Sequence, residues 1–345
     1  MMTYLSTNLN KLPSFVSRSP DLQLEIVRSF YWPNFSSNPW GGNKQPRGGG
    51  QVLVEIGHQF ESKDEHGHED GRTALLRAAS CGHEKVAKVL LEMGADPNSE
   101  DEDGRTPLSR AAASGHNKVV NILINMGAHP DHKNRDGRTP LSWTASAGCE
   151  EGAKALLDAG VDPDSKDKHR RTPLSWAASG KEKLIRLLLD IGADPMCKNE
   201  VGRTPLSWAA STGHEEVVKA FLEAGVDPDH TDKNGRTALL WATYTGKDSV
   251  GKLLLDSGAN PESMDKHGRT PLSWAALKNQ KTTVKLLLEY GANLSAQCQH
   301  GWTSASLAAD HGLEAVTALL KGKGAGLDIN EKEVTDHSII IRVER

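Results

Sequence analysis

A single phrase, G-R-T-[PA]-L, recurs along the chain with its glycine at positions 71, 104, 137, 202, 235 and 268. A degraded copy, Arg170-Arg171-Thr172-Pro173-Leu174, fills the one gap, and Gly301-Trp302-Thr303 closes the series, so the starts are 33 residues apart except for one step of 32. A fixed period of this length is the mark of a stacked array, in which each unit lacks a core of its own and buries its apolar face only against its neighbours. The period overrides the two or three separate domains that 345 residues would otherwise suggest.

The unit from Gly202 shows how one copy folds. Thr204 is a helix N-cap and Pro205 suits the first helical position, where a missing N–H costs nothing. Leu206, Trp208, Ala209 and Ala210 form a short helix that Gly213 ends, and His214 to Glu223 form a second helix with Val217, Val218, Phe221 and Leu222 on one face. Gly225 stops that helix, and Asp227-Pro228-Asp229 opens a polar turn to the next Gly235.

The unit resembles the ankyrin repeat, and the resemblance covers about residues 51 to 332. The family's T-P-L-H motif stands here as T-P-L-S at Ser109, Ser142, Ser175, Ser207 and Ser273, and as T-A-L-L at Leu76 and Leu240. The histidine that links neighbouring repeats in the family is therefore replaced, leaving Ser a shorter-range bond or none. The variant T-P-L-S-W-A-A is similar to arrays of filamentous fungi. The resemblance implies an all-α solenoid of helix-turn-helix units with hairpin-like loops, and a protein partner bound along a concave face.

The expected organisation is a flexible leader over 1–50, with one short helix at 21–31, then a degenerate N-terminal half repeat and inserted loop over 51–70. Seven repeats follow over 71–300, an atypical capping repeat over 301–332 and a tail over 333–345. The leader is rich in Gly, Pro, Asn and Ser from Pro33 to Gly50, the composition of a linker. Leu12-Pro13-Ser14-Phe15-Val16 is faintly similar to an F-box start. The fourth unit is one residue short at Ser179-Gly180-Lys181, which tightens its turn, and the seventh has Asn279-Gln280 where others have Gly-His.

The four cysteines match neither a zinc nor a disulfide spacing. With no apolar leader segment, the chain is expected in the cytoplasm or nucleus, not secreted, not in a membrane, and monomeric. No catalytic constellation, cofactor motif or metal site stands out, and the histidines His58, His66 and His68 read as a solvated loop. The expectation is a non-enzymatic binding protein. Two other roles carry weight in such arrays: a transcription coregulator of a fungal gene cluster, and a ubiquitin-ligase substrate adaptor should the leader be an F-box.

The informative variation lies in the loops before each G-R-T. The first is acidic, with Glu100, Asp101, Glu102 and Asp103, and the next are basic, with Lys133, Arg135 and Arg138, then Lys166, Lys168, His169, Arg170 and Arg171, then Lys198 and Arg203. These charges favour an acidic or dipolar protein segment as partner, mainly through orientation and association rate. A net charge of −4, no DNA-reading motif and no aromatic residues between the basic ones argue against nucleic acid. Ser211, Thr212, Tyr244, Thr245, Leu277 and Lys278 are expected to complete the contact surface, with Tyr244 as anchor. Trp143, Trp176, Trp208, Trp241 and Trp274 occupy one slot in successive units and are expected to stack in the core, while Arg77 and Arg110, in the same slot, must reach water or an acid.

Overall fold

The computed structural model describes residues 73–325. The expected leader helix at 21–31, the half repeat at 51–70, the His58, His66 and His68 loop and the tail at 333–345 lie outside the described residues. Within them the chain is all helical, with sixteen helices and no strand. A lone antiparallel bridge, Gln297 to Thr303, is the one β-type pairing there.

The chain divides into two compact units. One runs to Ala177 and takes in Lys181–Asp194; the other comprises Ala178–Gly180 and everything from Pro195. The first unit contains α1 (Ala74–Cys81), α2 (Glu84–Glu92), α3 (Pro107–Ser114), α4 (Asn117–Asn125), α5 (Pro140–Ala147), α6 (Glu150–Asp158), α7 (Pro173–Ala177) and α8 (Glu182–Asp190). The second contains α9 (Pro205–Thr212), α10 (Glu215–Glu223), α11 (Ala238–Tyr244), α12 (Asp248–Asp256), α13 (Pro271–Leu277), α14 (Lys281–Glu289), α15 (Ser304–Asp310) and α16 (Glu314–Gly322). In each unit the odd-numbered helices pack on one another and the even-numbered ones form a second row behind them.

Each first helix begins as the threonine predicts. Thr106, Thr139, Thr204 and Thr270 are extended, and each Oγ1 accepts from the backbone N–H three residues on. Such a cap is worth about 1 kcal/mol. The serine that replaces the family histidine turns back on the same helix end: Ser109, Ser142 and Ser207 donate to the carbonyls of Thr106, Thr139 and Thr204 at 2.8–2.9 Å. Ser273 is different, lying 3.3 Å from the Ser304 hydroxyl of the next repeat.

The turn between the paired helices needs glycine for two reasons. Gly115 has φ +76, and a Cβ there would lie 2.8 Å from Cys149 Sγ, the residue that opens the next second helix. Asn279 takes the same left-handed conformation, φ 57, as its tolerance of positive φ predicts, and so does Arg170, φ 60, in the slot where other units have the G-R-T glycine. The deletion in the fourth unit leaves α7 only five residues long.

Burial follows the helical period with one change from expectation. On α10 the buried face is Val217, Val218, Ala220 and Phe221, and Leu222 is half-buried. Small Ala220 turns inward in its place.

Candidate partner-binding face

The loop ahead of each first helix is built on one side chain. Asp101, Asn134, Asp167, Asn199, Asp232 and Asp265 stand three residues before each repeat start. The Oδ1 atom of each accepts the backbone N–H groups two and four residues on, as Asn134 does from Asp136 (3.0 Å) and Arg138 (2.8 Å). Asp265 does the same from His267 and Arg269. These local bonds make a tight turn that Asp and Asn serve equally well.

The other carboxylate oxygen distinguishes them. Asp265 Oδ2 accepts Arg269 Nε at 2.9 Å and the Trp274 indole N–H at 3.2 Å. Asp167 Oδ2 accepts Arg171 Nε at 2.9 Å, and Asp232 Oδ2 accepts Trp241 Nε1 at 3.1 Å. Asp101 takes Arg110 through Nε at 2.8 Å and through Nη2. The acid that Arg110 had to reach is therefore Asp101, which is only 4% exposed. This corrects its assignment to the exposed acidic cluster.

Within each unit the arginines of the G-R-T phrase and the tryptophans form a ladder. In the first unit the Arg138 guanidinium lies 3.4 Å from the Trp143 ring centre and 3.7 Å from that of Trp176, and Arg171 lies 4.0 Å from Trp176. In the second, Arg203 lies 3.8 Å from both Trp208 and Trp241, and Arg269 lies 4.0 Å from Trp274. A cation on an indole face, largely desolvated, is worth up to about 2 kcal/mol. The tryptophans therefore do not stack as a core, as the sequence suggested: Trp274 is buried, while Trp143, Trp176, Trp208 and Trp241 are half-buried with guanidinium groups between them.

Arg138 and Arg203 are 7% and 8% exposed, so neither is the surface charge that its place beside the basic loops implied. Burial, with repulsion from Arg171, lowers the Arg138 pKa to about 10. Burial lowers that of Arg203 to about 10 against the opposing pull of Asp232. Both remain cations at neutral pH. Aromatic and basic side chains interleave beneath the loops, while the basic loops themselves carry no aromatic residue.

The remaining candidates differ in exposure and in the bonds they make. Glu100, Glu102 and Asp103 are exposed, with Glu100 3.4 Å from His132 and Asp103 3.5 Å from Arg105. Lys133, Arg135, Lys166, Lys168 and His169 are exposed on the next two loops of the first unit. Backbone bonds tie successive loops, Arg135 N–H to Asp103 O at 3.0 Å and Lys168 N–H to Asp136 O at 2.8 Å. Lys133 Nζ also donates to the Lys166 carbonyl at 3.2 Å. These loops therefore hold their cations at a fixed spacing.

In the second unit Lys198 is exposed. Tyr244 is half-buried and edge-on to Trp241 and Trp274, with centroids 6.0 and 5.1 Å apart, and Lys278 Nζ lies 4.6 Å over its ring. These contacts hold the ring in place. Ser211 donates to Trp208 O and accepts from Arg203 Nη2 at 2.7 Å, while the Thr212 and Thr245 hydroxyls return to their own helices. Leu277 packs on the cluster of Cys298, Trp302 and Leu307, which makes it part of the interior edge more than a contact residue.

That cluster shows the three ladder positions changing together. In the last repeat Cys298 replaces the turn Asp, Trp302 the arginine and Leu307 the tryptophan, so a polar triad becomes an apolar one. No group of three metal-ligating side chains occurs among the described residues, and the four cysteines are free thiols. No described helix is long and apolar enough to cross a membrane.

The model of ankyrin repeats (three copies) matches residues 50–134, 127–199, 191–265 and 249–333. The chain belongs to the ankyrin-repeat family. Ankyrin repeats are generally protein–protein interaction modules and typically non-enzymatic. A comparison with curated proteins finds no match. In this ankyrin chain arginine and tryptophan alternate beneath the loop tips of each unit.

Proposed function

We propose that this ankyrin array is a non-enzymatic scaffold that binds an acidic segment of a protein partner along its loop tips and first helices. The observation that carries this reading is the cluster of Lys133, Arg135, Lys166, Lys168 and His169, all exposed on two loops of the first unit tied to each other through their backbones. Glu100, Glu102 and Asp103 on the preceding loop supply the opposite sign, which orients a dipolar segment and disfavours a uniformly acidic one at that end. In the second unit Lys198, Tyr244 and Lys278 offer a cation, a fixed aromatic ring and a second cation, with Ser211, Thr212, Thr245 and Leu277 as their surroundings. Pre-formed loops bind with little ordering cost.

The test is a peptide-display selection on the purified chain, repeated with Lys133, Arg135, Lys166 and Lys168 all changed to Glu. The wild type is expected to select acidic segments whose affinity falls steeply with salt, and the variant to bind them at least tenfold more weakly. Selection of neutral or basic peptides, or unchanged affinity in the variant, would contradict the reading.

A further inference from the structure

Two of the six described repeats with an arginine in the ladder have Asn in place of the turn Asp: Asn134 ahead of Arg138 and Asn199 ahead of Arg203. The amide orientation is fixed, because Oδ1 is occupied by two backbone N–H groups in each case. The second amide atom is then Nδ2, a donor, at the position where Asp265 offers Oδ2 to both Arg269 and Trp274. Asn134 Nδ2, Trp143 Nε1, Trp208 Nε1 and Arg203 Nε are all buried without an acceptor, and in the Asp repeats Arg105 Nε and Arg236 Nε share that state.

The cation itself has no carboxylate bonded to it. Arg138 donates through Nη2 to the Ser142 carbonyl at 2.9 Å and weakly through Nε to Ser142 Oγ, both neutral acceptors. Arg203 uses Nη2 for the Ser207 carbonyl and Ser211 Oγ. Neither forms an ion pair with a carboxylate, whereas Arg171 and Arg269 each pair with the turn Asp of their own repeat. In the other two Asp repeats the turn carboxylate is spent elsewhere, Asp101 on Arg110 and Asp232 on Trp241. In both, Nη1 forms no hydrogen bond among the described residues, and it is not one of the buried unpartnered atoms. A guanidinium with both faces covered by indoles presents only its edge, and an edge with free N–H groups fits a carboxylate.

We propose that Arg138 in the first unit and Arg203 in the second are each a recognition site for a side-chain carboxylate of the partner, kept available because Asn replaces the internal Asp. The inference rests on the acidic-segment reading above and adds the atoms that receive the acid. Lys133, Arg135 and Lys168 concentrate acidic residues above Arg138 by long-range attraction; the guanidinium edge then binds one carboxylate from a fixed position. Asp136 and Asp167, which also act on Arg138, moderate the site without pairing with it, and Arg105 and Arg171 reinforce it. At Arg203 the moderating acid is Asp232 and the reinforcing cation Arg236.

The experiment uses the full chain labelled with 15N and N-acetyl-hexaglutamate as probe, with N-acetyl-hexaglutamine as control, reading the indole N–H signals of the eight tryptophans. Saturable shifts are expected for Trp143 and Trp176 from the first site and for Trp208 and Trp241 from the second, and none for Trp274 or Trp302. Asn134→Asp is expected to abolish the first pair of shifts and leave the second, and Asn199→Asp the reverse; the double variant should bind hexaglutamate at least tenfold more weakly. Both substitutions should raise the unfolding midpoint, since they supply the missing acceptor, so a lost shift cannot be put down to a damaged fold.

Equal shifts in wild type and in the two Asp variants, or absence of any hexaglutamate-specific shift, would overturn the proposal. Should the fourfold Lys/Arg reversal remove hexaglutamate binding while Asn134→Asp and Asn199→Asp leave it intact, the acidic-partner reading would stand and this inference alone would fail.

Discussion

Replacing Asp265 by Ala is expected to lower the stability of the second unit by about 3–5 kcal/mol, the usual cost of removing one member of a buried ion pair. The carboxylate is 5% exposed and accepts four hydrogen bonds: two from the turn backbone, one from Arg269 and one from Trp274. Removing it strands a buried cation, an indole N–H and two backbone donors together. Asp265→Asn should be milder, at about 1–3 kcal/mol, because Oδ1 still holds the turn and only the Oδ2 partners lose their acceptor. Urea unfolding followed by circular dichroism reads both. A loss below about 1 kcal/mol for the Ala variant, or an Asn variant as damaging as the Ala one, would mean that the ladder contributes little to the fold.

The second large effect belongs to packing. Phe221 is fully buried on α10 beside Val217 and Val218. Phe221→Ala should cost about 3–5 kcal/mol through lost apolar burial and the cavity left behind. A repeat cannot stay folded without neighbours, so the loss is expected as faster amide exchange in α9 to α12 as well as a lower midpoint. Protection unchanged on the helices flanking α10 would contradict nearest-neighbour coupling within the unit.

Much of this architecture is legible in the sequence because each signal is local. Thr204 caps, Pro205 starts a helix, Gly213 ends it, and the same letters do the same work every 33 residues. For Ser207 the sequence left a shorter-range bond or none, and the bond to the Thr204 carbonyl is the first of these. The site was harder to read, since its geometry joins residues at offsets of four and nine within a repeat and then stacks them on the next. Arg138, adjacent in sequence to Lys133 and Arg135, looked like a loop charge, and Trp143 looked like core.

A signal was nonetheless available. In the last repeat the turn Asx, the arginine and the tryptophan all change together, to Cys298, Trp302 and Leu307, while in the Asp101 repeat only the tryptophan changes, to Arg110. Loss of every polar member at once is what a mutually satisfied triad predicts, because any one left alone would be a buried, unpaired group. The Asn134 and Asn199 repeats break that consistency on one member only. Local rules tend to be broken this way where a function needs the exception.

A turn Asp can pair the ladder arginine within its own repeat, as Asp167 and Asp265 do, whereas a turn Asn leaves it for another molecule. A pair of double-mutant cycles tests this difference most directly: Asp167→Asn with Arg171→Gln, and Asn134→Ala with Arg138→Gln, each by urea unfolding. The account predicts a coupling of about 1–3 kcal/mol between Asp167 and Arg171, whose charged hydrogen bond is 2.9 Å long, and coupling within about 0.5 kcal/mol of zero between the side chains of Asn134 and Arg138. Equal coupling in the two repeats would contradict it.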